Sequence, residues 1–142
     1  MGVTLRLMST AEFIGRRAEL VRDAADSLAA SFGLSRPDAE ARAEQATVAA
    51  LPLGPDTPGH LLRTAVADST VVGWIWLSLP GTFVPDVAWV SDVAVDPAVR
   101  SRGHGRAIML AGEAELSARG LDRVGLSVDG RNDRARHLYD RL

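Results

Sequence analysis

Trp89-Val90-Ser91-Asp92-Val93-Ala94-Val95-Asp96-Pro97-Ala98-Val99-Arg100-Ser101-Arg102-Gly103-His104-Gly105-Arg106-Ala107-Ile108-Met109-Leu110 is the stretch on which the fold turns, and it runs on through an Ala/Leu-rich segment to Arg119. Its first part is β-branched with apolar residues at both parities, the pattern of a strand buried on both faces. Pro97 ends that strand and a polar turn with two glycines follows. Ala107, Leu110, Ala111, Ala114 and Ala118 then recur at the spacing of an amphipathic helix, which Gly120 closes.

Strand, glycine turn and helix together make an anion site. The first amides of a helix have no intrahelical partner, and the helix dipole favours negative charge at that end. Gly103 and Gly105 keep side chains out of the way, while Arg100, Arg102 and Arg106 carry charge at every physiological pH. A diphosphate suits such a turn, although a Gly-x-Gly also serves as a plain tight connection. Two other phosphate motifs are excluded: a P-loop needs a lysine and this chain has none, and the dinucleotide fingerprint needs a small residue where Ile108 stands.

Arg100-Ser101-Arg102-Gly103-His104-Gly105 resembles the [Q/R]-x-x-G-x-[G/A] signature of the GNAT superfamily of N-acetyltransferases, and Val93-Ala94-Val95-Asp96-Pro97 is similar to the strand that precedes it there. The resemblance implies a splayed strand, with acetyl-CoA in the opening and its pyrophosphate on the turn. It assigns Val93, Ala94 and Val95, with the turn residues Arg100 to Arg106, to cofactor binding. A backbone N–H of Val93 or a neighbour would hold the thioester carbonyl.

Length and composition agree with one domain spanning residues 1–142. The 142 residues are 46% hydrophobic and 24% charged, ordinary for a globular protein. A formal charge of -2 points to neither nucleic acid nor an anionic membrane as partner. With no cysteine there are no disulfides, thiolate metal sites or cysteine nucleophiles. The N-terminus has no signal-peptide pattern and no apolar run approaches bilayer length, so the cytoplasm is the expected compartment.

In chain order, Val3 to Met8 alternates as a first strand. Ser9-Thr10-Ala11-Glu12 matches a capping box that opens a helix ending near Phe32-Gly33, with a stripe of Phe13, Arg17, Leu20, Val21, Ala24, Ala25 and Leu28. A second helix is predicted over Arg36 to Ala50, with Pro37 in its first turn, and Leu51 to Gly59 is a Pro/Gly loop. His60–Ala67 and Val71–Leu79 read as a hairpin. After the central strand and helix, Asp122 to Val128 reads as a strand and Asn132 to Leu142 as a helix. The order β-α-α-β-β-β-α-β-α gives a mixed α/β fold, and the resemblance makes its sheet mostly antiparallel.

Asn132-Asp133-Arg134-Ala135-Arg136-His137-Leu138-Tyr139 resembles the N-x-x-A-x-x-L-Y pattern of many of these enzymes. By that resemblance Tyr139 protonates the departing thiolate, and a phenol with a pKa near 10 is a sensible donor. A core tyrosine on an amphipathic helix would look the same, and Asn132 serves either the cofactor or as a helix N-cap. Asp92 is the candidate base that takes the amine's proton, or else the partner of an arginine. His60, His104 and His137 lack metal-site spacing, so no metal is expected. His104 reads as exposed loop, and Trp74, Trp76 and Trp89 as core or cleft wall.

In the family, Gly-Phe and two further strands usually follow the tyrosine helix, whereas this chain stops at Leu142. The expectation is therefore a domain without its C-terminal strands, completed by residues beyond Leu142 or by a homodimer through the exposed edge. The function expected is acetyl transfer from acetyl-CoA to a small-molecule or peptide amine by direct attack in a ternary complex. A non-catalytic acyl-CoA-binding module of the same fold and an unrelated nucleotide-phosphate binder are the alternatives.

Overall fold

The computed structural model describes residues 2–82, 85–100, 102–121 and 123–126. The chain divides into two compact units, one made of Met1–Leu7 with Gly59–Leu142 and the other of Met8–Pro58.

The second unit holds helices α1 (Thr10–Phe32) and α2 (Arg36–Ala50). The predicted capping box forms: the Glu12 amide donates to Ser9 Oγ at 3.1 Å, and the Ser9 amide donates to Glu12 Oε1 at 3.0 Å. Gly33 ends α1 in the left-handed conformation. Ala25, Ala39 and Ala43 are fully buried between the two helices, with Val21, Leu28 and Leu34 around them. Arg17, the polar member of the predicted stripe, pairs with Glu44 of α2, and Arg36 binds both Asp26 and Glu40.

The first unit is a five-stranded sheet in the order β1 (Thr4–Leu7), β2 (His60–Ala67), β3 (Thr70–Ser78), β4 (Ala88–Val95), β5 (Val124–Leu126). Every neighbouring pair is antiparallel except β4 with β5. Asp68 and Ser69 join β2 to β3, both at positive φ, as a two-residue hairpin turn requires. Helix α3 (His104–Ala118) lies on one face of the sheet, and Gly120 with Leu121 closes it: their amides donate to Ser117 and Leu116 at 2.9 and 3.0 Å. The element order agrees with the sequence reading up to Leu126. The helix expected over Asn132 to Leu142 lies outside the described residues.

Two expectations are corrected here. Helix α3 buries His104, Ile108, Met109, Gly112 and Leu116, whereas Leu110 of the predicted stripe is 47% exposed. The helix is turned so that its largest apolar side chains face the sheet, and Gly112 permits a close approach: a Cβ there would lie 2.9 Å from Ile75 Cδ1. The central strand β4 is also not buried on both faces. Ala88 and Val90 enter the core from one parity and Val93 and Val95 from the other, because Ser91 is an extra residue opposite the step from Trp76 to Leu77.

An ion pair ties β2 to α3. Arg63 Nε donates to Glu115 Oε1 at 3.0 Å, and Nη2 meets Oε2 at 2.9 Å as a charge contact off the hydrogen-bond direction. The Arg63 side chain is only 11% exposed. Glu115→Ala would strand that guanidinium, and a loss of about 2 kcal/mol is expected. Urea unfolding reads it, and a loss below about 0.5 kcal/mol would mean that solvent already screens the pair.

Candidate active site

The turn from β4 to α3 is built as the sequence suggests. Pro97–Val99 forms one 3-10 turn, and Arg100 Nε donates to the Val95 carbonyl at 3.1 Å, fastening the turn to the strand end. Gly103 stands at the N-cap of α3 with φ 81°, a conformation that disfavours any side chain, and open space lies where its Cβ would be. Among the described residues no side chain caps α3, and no acid lies in its first turn. By contrast, Ser9 and Ser35 cap α1 and α2, which carry Glu12 and Asp38. Among the described residues the leading amides of α3 thus have no carboxylate or hydroxyl to satisfy them, and Arg102 and Arg106 are exposed beside them.

His104 is not the exposed loop residue expected. It is the first residue of α3, 6% exposed, and its Nδ1 has no hydrogen-bond partner among the described residues. The reason is periodicity, since positions 104, 108, 112 and 116 form one stripe, so the ring follows Ile108 inward. Gly105 is half-buried. Ser101, Asn132 and Tyr139 lie outside the described residues.

On β4, Asp92 pairs across the sheet with Trp76, and Val93, Ala94 and Val95 pair with Ile75, Trp74 and Gly73. Asp92 Oδ1 accepts the amide of Val93 at 2.8 Å. The carboxylate expected to act as base and the amide expected to hold the thioester carbonyl are therefore bonded to each other. Gly73 makes this stretch possible, because a Cβ there would fall 2.1 Å from the Ala94 carbonyl oxygen.

Sequence reading missed a polar chain on the sheet face turned away from α3. Ile75 and Leu77 of β3 face α3, so Trp74, Trp76 and Ser78 face the other way. Trp76 Nε1 donates to His60 Nδ1 at 2.9 Å, Ser78 Oγ lies 3.4 Å from the same nitrogen, and Ser78 Oγ meets Ser91 Oγ at 2.6 Å. Burial lowers the pKa of His60 below its ordinary value. Trp74 is 1% exposed, in keeping with a core role, while Trp76 and Trp89 are half-buried. No described helix is long and apolar enough to cross a membrane.

The crystal structure of the acetyltransferase YycN from Bacillus subtilis superposes with a TM-score of 0.87 at 24% identity, covering 98% of this chain and 89% of that one. PaiA N-acetyltransferase from Thermoplasma acidophilum, solved in complex with coenzyme A, gives 0.63 at 19% identity over 99% of this chain and 88% of its own. At these identities the likeness establishes the fold. In sequence, mycothiol acetyltransferase of Rhodococcus erythropolis is 39% identical over 90 residues, 61% of this chain. The match spans only 30% of that protein's length. The profile of the Acetyltransferase (GNAT) family matches residues 6–142, running through both units, and the chain therefore belongs to that family.

Proposed function

We propose that this chain is an acyl-CoA-dependent N-acetyltransferase, a single domain made of both units, that moves the acetyl group of acetyl-CoA to an amine by direct attack in a ternary complex. The observation that carries the reading is the start of α3, which no described side chain caps, with Gly103 in the left-handed conformation and Arg102 and Arg106 exposed beside it. That arrangement suits the pyrophosphate of CoA, with Ser101, His104 and Gly105 completing the turn and Arg100 holding it to β4. The amides of Val93, Ala94 and Val95 would line the pantetheine and thioester. Asp92 would take the amine's proton and Tyr139 protonate the thiolate, with Asn132 serving the cofactor.

The names of the relatives support acetyl transfer but do not fix the acceptor, since the mycothiol acetyltransferase match covers 30% of that protein. Thiol release from acetyl-CoA across a panel of polyamines, amino acids, amino sugars and the acceptor of the mycothiol enzymes tests the reaction. CoA binding without turnover on any amine would favour a binding module instead.

The phosphate site has its own test. Gly105→Val puts a β-branched side chain where the pyrophosphate would approach the backbone, and CoA affinity is expected to fall at least tenfold, about 1.4 kcal/mol. Wild-type affinity should also fall with salt. Titration calorimetry showing unchanged affinity in a folded variant would remove CoA from this turn.

A further inference from the structure

The His60–Ser78–Ser91 chain has a direction. An indole N–H only donates, so His60 Nδ1, which receives it at 2.9 Å, carries a lone pair, and the proton of the neutral ring sits on Nε2. Toward that nitrogen Ser78, 3.4 Å away, can only donate, sharing the nitrogen's one lone pair with the indole in the longer arm of a forked bond. The Ser78 oxygen is then the acceptor in its 2.6 Å contact with Ser91, and the single Ser91 proton is directed inward. Ser91 therefore shows lone pairs, not a proton, at the bulge of β4 beside Asp92.

We propose that Ser91 is a positioning residue for the nucleophile, a hydrogen-bond acceptor that orients an N–H-bearing substrate beside Asp92, with its polarity set by neutral His60 through Ser78. This rests on the reading of the chain as an amine acetyltransferase. An amine offers N–H donors to such an oxygen and directs its own lone pair elsewhere, toward the thioester. No covalent step at Ser91 is involved.

Protonation of His60 reverses the chain. With a proton on Nδ1 the ring donates to Ser78, Ser78 turns its O–H to Ser91, and the Ser91 O–H points outward against the amine's own N–H. The Trp76 indole loses its acceptor at the same time. Of the groups bonded to the His60 ring, Trp76 and Ser78 of β3 do not titrate near neutrality, and Asp92 of β4 stands across from Trp76 rather than on the ring. Because burial lowers the His60 pKa, the ring is neutral at pH 7 and the reversal falls on the acid side, below the ordinary histidine value near 6.5.

The test uses the 142-residue chain and the panel amine with the highest kcat/KM. Ser91→Ala should raise the amine KM about tenfold at pH 7.5, the worth of one hydrogen bond, with the acetyl-CoA KM unchanged, and Ser91→Thr should restore it. In wild type the amine KM should rise as pH falls through the His60 titration, and Ser91→Ala should lose that step. Nitrogen-15 spectra of the His60 ring, assigned by its loss in His60→Gln, should show Nε2 protonated and Nδ1 bare at pH 7.5. An Nδ1–H ring overturns the inference, as does an unchanged amine KM in Ser91→Ala of an enzyme that turns over. A wild-type chain that acetylates no amine overturns the functional reading and this inference together.

Discussion

Gly73→Ala is expected to destabilise the fold by about 3 kcal/mol, the upper part of the range for overpacking a well-filled site. In an open strand the same change would gain stability, since glycine costs roughly 0.5–1 kcal/mol relative to alanine in a strand. Here the new Cβ would lie 2.1 Å from the Ala94 carbonyl oxygen and 3.0 Å from Ile108 Cδ1. The side-chain end of Ile108 can yield, but the Ala94 carbonyl belongs to β4 and can move only with that strand. The melting temperature should drop by roughly 10 °C. A loss below about 1 kcal/mol in denaturant unfolding would mean that β4 is free to shift, and with it the stretch from Asp92 to Val95.

Tyr139→Phe is expected to lower kcat by roughly 10²- to 10⁴-fold while leaving the acetyl-CoA KM nearly unchanged. The hydroxyl is assigned to the moment when the thiolate departs, so its loss should not register in ground-state binding. The assignment stands on Tyr139 falling seven residues after Asn132 in a pattern similar to that of many related enzymes. Steady-state kinetics across pH checks it, and a wild-type rate in the variant would return Tyr139 to packing.

The parts of the fold legible in the sequence were those fixed by neighbours along the chain. Ser9 and Glu12 cap α1 through bonds spanning three residues, and Gly33, Pro37 and the Asp68-Ser69 turn act within one turn of backbone. The face of α3 was not legible, because it depends on how closely Gly112 lets the helix approach Ile75 and Leu77. Counting alanines as core placed the stripe on the wrong side, since each buries little area.

The polar chain was hidden for a different reason. Counting back from the hairpin turn, where Ala67 pairs with Thr70, a regular ladder would set His60 against Leu77. The extra residue Val72 shifts the register between Ala65 and Val66, so that His60 meets Ser78 instead. One bulge thus changes which face of β3 the histidine sees. Of the proposed site, the glycine turn that leads into α3 was readable, because Gly103 and the start of the helix are fixed locally. The bond between Asp92 and the Val93 amide was not, because it depends on the path of β4 at the second bulge.

That second bulge also bears on how the strand can change over generations. Without Ser91, the run Trp89-Val90-Asp92-Val93-Ala94-Val95 alternates without interruption, every valine toward the core. The core and the pairing with β3 therefore have no use for the extra residue. Ser91 is in effect an insertion into a strand that is regular on either side of it. Its side chain can be exchanged without disturbing the hydrophobic pattern, so selection on the substrate can act at position 91 while leaving the fold in place.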